Sequence, residues 1–494
     1  MKAQPWLSWA RQLQPGVTKA MWAMFLVSLP MTSFPFVPGV LGGKSTVQPL
    51  AIYPLLGLLL LLLPRLPKMR LPRALIPLAV FGLVALISGG LALTLGIPAF
   101  REVTVLDRVV RNGMTLAIGL GFYTLVALIP EDREMLRFTL RWLLVGFVLA
   151  LAWGTLQAVY VIPPNTPVMR KYFDLLNELQ HWVSVRNLQR RRVSGMAYEP
   201  SWFAEQICIL WLPWVLAAVF RRQSVFAWRF RGMQVEDGLL LWSVAILILT
   251  YSRGGVVILF GLLGLSFLGW QGERARRRQG GGWKRGLVAL GVLAVLAVAV
   301  VGLGSQNKYF SRIWRFWAET EAGGNYWAYI AFGQRFVYWE AALDIFEQYP
   351  VFGVGMGNYA LVFEDALPDV PLYRYPEILE LITPEKKNVV LLTPKNLFVR
   401  VLAETGLVGF AVFLGFLGVI LAEAVRLWLA TDEEQKFWGW AGVLGFVAAC
   451  LVGFSTDSFA MPNMWVMFGL ITAAGMLGRN ETRASSLKAL AEDR

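Results

Sequence analysis

The sequence predicts an all-α integral membrane protein of about twelve transmembrane helices, with one large helical loop between the ninth and tenth. Three observations predict it. Of the 494 residues, 56% are hydrophobic and only 16% charged, where soluble domains carry about a quarter charged. Apolar runs close to the roughly 20 residues needed to cross a bilayer recur along the chain. Short Lys/Arg clusters fall in every second connection, which is how topology is set.

The predicted spans are 20–40, 49–64, 73–95, 113–130, 140–161, 200–220, 237–250, 254–270, 286–304, 406–428, 437–455 and 463–478. Lys2, Arg11 and Lys19 precede the first without a small-residue cleavage site, which reads as a retained helix. The basic clusters begin with Arg65, Lys68, Arg70 and Arg73, then Arg133, Arg137 and Arg141, then Arg221, Arg222, Arg229 and Arg231. Arg274, Arg276, Arg277, Arg278, Lys284 and Arg285 follow, then Arg426 with Lys436, and Arg479. All lie after even-numbered spans, so both termini are expected in the cytoplasm, with segments 162–199 and 305–405 outside. No repeat or low-complexity linker divides the chain. It reads as one membrane domain, 1–494, containing the extracytoplasmic loop 305–405 and a cytoplasmic tail 479–494.

Other chemistries are excluded by what is missing. Cys208 and Cys450 both sit in apolar runs, and His181 is the single histidine. That leaves neither a disulfide framework nor a zinc site. The net charge of +14 is distributed as topology signals, which argues against nucleic acid as a partner. Gly43, Lys44, Ser45 and Thr46 echo a phosphate-binding loop, but Pro38 stands where its first glycine is required. The sequon Asn480, Glu481, Thr482 falls on the cytoplasmic tail and carries no weight.

Within the outer loop, residues 335–349 place Phe336, Trp339, Leu343 and Phe346 on one helical face, and Pro350 with the following glycines ends that helix. A second helix is expected from Asn396 through Ala403, halted near Gly406. Trp314, Trp317, Tyr326 and Trp327 read as an interfacial aromatic belt, with sugar stacking as the alternative.

The informative residues are cations on the wrong side. Arg190, Arg191 and Arg192 precede span six, Arg253 sits in the turn Tyr251–Gly255, Arg335 opens the outer helix, and Lys395 precedes Asn396. Arginine near a bilayer is costly and marks function. Its planar guanidinium suits the bidentate grip of a diphosphate. Gly254 and Gly255 allow a close turn whose amides open the next helix and favour an anion. The alternative is snorkelling to lipid phosphate or pairing with Glu199 and Glu340, which is the better reading for Arg190 and Arg191.

Three stretches together resemble the O-antigen ligase and O-antigen polymerase superfamily of surface-polysaccharide assembly. They are RVSGMAYEPSWFA at 192–204, TYSRGG at 250–255, and QRFVYWEAALDIFEQYPVFGVGMGN at 334–358 followed by PKNLFVRVLAETGLVG at 394–409. The resemblance covers roughly residues 190–430. It implies glycosyl transfer at the extracytoplasmic face of a bacterial cytoplasmic membrane, from a glycan on undecaprenyl diphosphate, without nucleotide sugar, metal or other cofactor. Arg253 and Arg335 match the family's arginines and look like diphosphate ligands; Arg192 and Lys395 join the expected set. Lys395 stands where the family's ligases have a histidine, and Glu199–Ala204 resembles the EPSxxA pattern of polymerases.

The expected function is therefore a polymerase that joins one lipid-linked repeat unit to another, with Glu199, beside Arg192, as general base and arginines offsetting the charge of the leaving diphosphate. The alternatives are a ligase delivering glycan to lipid A core or protein, and a transporter or flippase of lipid-linked sugars. Expected partners are the undecaprenyl-diphosphate oligosaccharide, membrane lipids and other polysaccharide-assembly proteins.

Overall fold

The structure is a computed structural model that describes residues 5–37, 47–161, 166–226, 228–276, 332–371, 373, 375–383 and 391–492, with single positions between 294 and 311. The Gly43–Thr46 segment, span 286–304 for the most part, the Trp314–Trp327 aromatics and Arg277–Arg285 lie outside the described residues.

The bundle is formed by α1 (Pro5–Ser28), α2 (Ile52–Leu62), α3 (Leu75–Ala92), α4 (Val105–Leu128), α5 (Arg133–Val161) and, after the outer helix α6 (Pro167–Gln180), α7 (Pro200–Arg221). A two-residue hairpin, β1 (Arg229–Phe230) with β2 (Met233–Gln234), leads into α8 (Val235–Leu249) and α9 (Arg253–Arg276). An outer lobe follows, with α10 (Gly333–Gln348), α11 (Tyr359–Val362) and α12 (Pro376–Ile382). Helices α13 (Leu397–Trp428), α14 (Glu433–Gly453) and α15 (Pro462–Glu492) complete the bundle.

Among the described residues seven helices are long and apolar enough to cross a membrane: α3, α4, α5, α7, α9, α13 and α14. Apolar segments 16–28 of α1 and 52–62 of α2 are shorter. Helix overlaps every span read from the sequence, 286–304 at the few positions described there, but several begin earlier. A capping box in which Thr104 and Asp107 bond each other's amides starts α4 at Val105. Asn396 Oδ1 accepts from the amides of Phe398 and Val399 and starts α13. In α7, 89% of the most apolar window is buried inside the protein against 33% in α9. α7 is therefore the most enclosed of the seven, followed by α14 at 72%.

Polar ties replace the missing hydrophobic drive between helices in lipid. Trp22 Nε1 donates to Thr139 Oγ1 at 2.8 Å, joining α1 to α5. Tyr123 and Thr472 hydroxyls meet at 3.0 Å between α4 and α15. Trp153 Nε1 reaches the buried Gln180 of α6 at 2.8 Å and holds this amphipathic helix against α5. In α7 a π-turn spans Ile207–Trp211, closed by the Leu212 amide on the Ile207 carbonyl. Pro213, which donates no amide and crowds the carbonyl four residues back, is its cause.

The outer lobe has a core of its own, made by Val337, Tyr338, Ala341, Ile345, Tyr359, Phe363 and Ile378 and closed by Ala403 of α13. This corrects the face expected of the 335–349 helix. The helix is present, but Phe336 and Leu343 are 42% and 46% exposed, while Val337, Tyr338, Ala341, Ala342 and Ile345 are buried. Phe332, Phe336 and Trp339 meet one another edge-on at 5.4–6.0 Å instead. Of the three, Trp339 also packs against that core.

Gly406 interrupts α13 with φ 64° and ψ −168°. A Cβ there would sit 2.3 Å from the Val351 carbonyl oxygen, so the position requires glycine. The turn after α10 supplies what the break removes. Val354 and Gly355 amides bond the Ala403 and Glu404 carbonyls at 3.2 and 2.9 Å, and the Leu407 and Val408 amides bond the Pro350 and Val351 carbonyls at 2.8 and 3.3 Å. Lobe and membrane helix are stitched together where the helix breaks.

Candidate functional site

The segment before α7 docks through its backbone. Buried Gln157 of α5 accepts the Ser194 and Gly195 amides at 2.9 Å and donates to the Gly195 carbonyl at 2.9 Å. Removing that side chain would strand buried groups at about 1–3 kcal/mol each. Arg192 Nε donates to the Thr250 carbonyl at 2.8 Å, at the C-terminus of α8, where carbonyls are unpaired and a cation is favoured. Arg192 thus joins the RVSG segment to the TYSRGG turn.

That turn reverses at Tyr251, whose φ is +47°. Ser252 Oγ accepts the Gly255 amide at 3.3 Å, so Ser252 opens α9 with half-buried Arg253 as its first residue. A Cβ on Gly255 would lie 2.7 Å from Cβ of Ala204. The glycine of TYSRGG and the alanine of EPSWFA are therefore small for one shared reason: α9 begins in contact with α7.

Glu199 occupies the N-cap position of α7, ahead of Pro200, and makes no capping bond. Its partner is Arg186, at 2.9 Å, and it accepts from Ser201 Oγ at 2.6 Å. The expected neighbour Arg192 instead serves backbone carbonyls. Arg190 lies over the Phe173 ring at 5.3 Å.

Six residues on, Glu205 is 7% exposed and accepts from Thr456 Oγ1 at 2.5 Å. Its charged neighbours are Glu199 and Arg335. Thr456 belongs to the turn between α14 and α15, and both residues flanking it also bind the site. Arg335 Nη1 donates to the Ser455 carbonyl at 3.2 Å and to the Lys395 carbonyl at 3.1 Å. Asp457 accepts the Lys395 amide at 2.8 Å and the Thr393 hydroxyl at 3.2 Å. Lys395 itself has φ +51°.

The ammonium of Lys395 is ion-paired with Glu377 of α12 and lies 5.3 Å from the centre of the Tyr338 ring. Gln334 donates to the other Glu377 oxygen. Burial pushes the Tyr338 phenol above its usual range, with Glu377 adding to the effect, so that hydroxyl stays neutral.

The structure thus gathers Arg192, Glu199 and Arg253 around the start of α7, and Arg335 with Lys395 beside the 455–457 turn; Glu205 lies between the two groups. Sequence reasoning missed Glu205, Ser455, Thr456, Asp457 and Glu377. It also missed a buried lattice beneath them. Arg400, 5% exposed, donates to Glu404 at 2.9 Å, to the Asp457 carbonyl at 2.7 Å and to Asn112 at 2.9 Å. Arg108 reaches the Gly357 carbonyl at 2.6 Å, and Arg101 bonds the Leu381 and Thr383 carbonyls behind α12. The wrong-side argument that singled out Arg253 applies equally to Arg101 and Arg108, and would have found them. Among the described residues no group of three His, Cys, Asp or Glu is arranged to hold a metal ion.

Residues 238–414 match the family model described as O-antigen ligase. That segment is similar to the O-antigen ligase and polymerase superfamily. A comparison with curated proteins finds no match. The matched O-antigen ligase segment runs from α8 into α13 and contains Arg253, Arg335 and Lys395. Arg192, Glu199, Glu205 and the 455–457 turn lie outside it yet are folded against it. The matched segment and the seven long apolar helices among the described residues fit a multi-pass membrane protein.

Proposed function

We propose that the protein is a surface-polysaccharide polymerase of the bacterial cytoplasmic membrane, extending a glycan carried on undecaprenyl diphosphate. The observation that carries the reading is the joining of a guanidinium to a carboxylate through consecutive residues: Arg335 on Ser455, and Glu205 on Thr456. An acceptor hydroxyl gives its proton to Glu199, the carboxylate of the pair that is open to a substrate. Its oxygen forms the new bond to the anomeric carbon of the donor. The bond from that carbon to the phosphate oxygen breaks, and undecaprenyl diphosphate leaves with the electron pair. Arg253 and Arg335 offset the added negative charge, the largest help a fixed site can give. Arg192 positions the Arg253 turn. Lys395 adds its charge to the diphosphate site when it releases Glu377.

Polymerase is favoured over ligase by Lys395, whose ammonium is held by Glu377 and cannot accept a proton. Purified protein supplied only with lipid-linked repeat units is expected to build a ladder of longer lipid-linked glycans. Transfer to added lipid A core or protein, with no ladder, makes it a ligase. Movement of the intact lipid-linked donor between leaflets, with no new glycosidic bond, makes it a transporter.

The twelve-span topology, with the site outside, rests on the alternation of basic connections. In intact cells an impermeant thiol reagent is expected to label a single cysteine at position 365 and spare one at 276; the reverse pattern overturns the orientation.

A further inference from the structure

α14 joins two chemically different ends of the bundle. Its C-terminus leads into the Ser455–Asp457 turn of the candidate site, and its N-terminus, about 30 Å away for 21 residues, borders a cavity. This cavity has a volume of about 410 Å³ and is lined by Arg137, Arg141, Arg222, Arg229, Glu434 and Trp438, among others. Such a volume suits a small polar headgroup.

The charges do not cancel. Glu434 is taken by Arg137, at 2.6 and 2.8 Å, and also meets Arg133 at 3.0 Å. Asp237 pairs with Arg222 at 3.1 Å. Arg141 uses only Nε, donating to the Val225 carbonyl at 2.9 Å. Its terminal nitrogens and the whole Arg229 guanidinium carry no hydrogen bond among the described residues. Two guanidinium forks are left facing one cavity, the arrangement that recognises a phosphate group.

A second observation separates a lipid from a soluble anion. The hairpin that carries Arg229 presents Trp228, Phe230 and Met233 at 65%, 56% and 49% exposure, and Trp228 stacks on Phe230 at 6.2 Å. Exposed aromatics alternating with arginine belong at a membrane interface. We propose that the cavity binds the headgroup of an anionic phospholipid of the leaflet opposite the candidate site, with the hairpin seated in that leaflet.

The test uses the full chain purified in detergent and titrated with phosphatidylglycerol or phosphatidylcholine, with retained lipid counted by native mass spectrometry. The parent protein should prefer phosphatidylglycerol. R141Q/R229Q should retain it about thirtyfold less tightly, while R70Q/R73Q, which removes two exposed arginines elsewhere, should match the parent. W228S/F230S should weaken phosphatidylglycerol but leave binding of soluble glycerol phosphate unchanged. R229Q alone, at an exposed side chain, keeps the test valid if the double variant does not fold. Equal retention of both lipids, equal loss in R70Q/R73Q, or glycerol phosphate binding as tightly as the lipid would each overturn the proposal.

Discussion

Thr456 Oγ1 donates to Glu205 Oε1 at 2.5 Å across 251 residues of sequence. The bond fixes the α14–α15 turn against α7, and the same turn presents the Ser455 carbonyl to Arg335. Glu205 is therefore a positioning residue for Arg335. Glu205→Gln keeps an oxygen to accept from Thr456 and should lose less than tenfold in transfer rate, whereas Glu205→Ala should lose much more. Thr456→Val should mimic Glu205→Ala, and the double variant should be no worse than either single one. Additive losses would show that the two residues act separately.

Glu199→Gln should slow ladder formation by about 10²- to 10⁴-fold, the usual worth of a general base, with KM little changed. Lys395→Gln should cost far less, since its ammonium faces Glu377. Equal losses in the ladder assay would remove Glu199 from the base role.

Arg253→Lys and Arg335→Lys should each lose most activity, because an ammonium cannot keep a bidentate grip on diphosphate. Arg65→Lys, in a basic cluster on the other side of the predicted topology, should behave as the parent. Tolerance of lysine at both site positions would end the case for a diphosphate there.

The reach of the sequence can be judged residue by residue. Helices α3, α5, α7, α9, α13 and α14 were legible because length and apolarity are what the bilayer demands. The starts of α4, α5 and α14 were not, because polar first turns such as Thr104–Asp107 carry those helices beyond the apolar run. Arg253 and Arg335 stood out as costly cations. Glu205 could have stood out on the same ground, as an ionisable residue within an apolar run. The 455–457 turn carried no signal, since Ser, Thr and Asp are ordinary turn residues. The partner of Glu199 is set by tertiary packing that brings Arg186 back onto α7.

Gly406→Ala should destabilise the outer lobe, because alanine must adopt φ 64° beside the Val351 carbonyl. A cost of about 1–3 kcal/mol is expected, read as faster limited proteolysis in 350–371 at an unchanged rate elsewhere. Leu414→Ala, on an exposed part of the same helix, should leave that rate as it is.

Glu481 ties the polar end of α15 to Arg133, whose hydrogen bonds hold the carboxyl below its usual range. A depressed pKa gives stability that is present above the ordinary carboxylate value near 4.3 and lost as pH falls through the lower, folded value. Thermal stability of the parent should therefore fall more steeply below about pH 4 than that of Glu481→Gln. Parallel curves would remove this ion pair from the acid response.

The break at Gly406 also bears on what can be cut from this chain. Ala403, Glu404, Leu407 and Val408 rely on residues 350–355 for backbone partners, and hydrocarbon offers no substitute for them. A truncation that replaces 332–391 with a short linker would leave those carbonyls and amides bare at the edge of the bilayer, so the lobe is not a detachable accessory. Chimaeras with related proteins should exchange the lobe and α13 as one cassette, joined beyond Trp428.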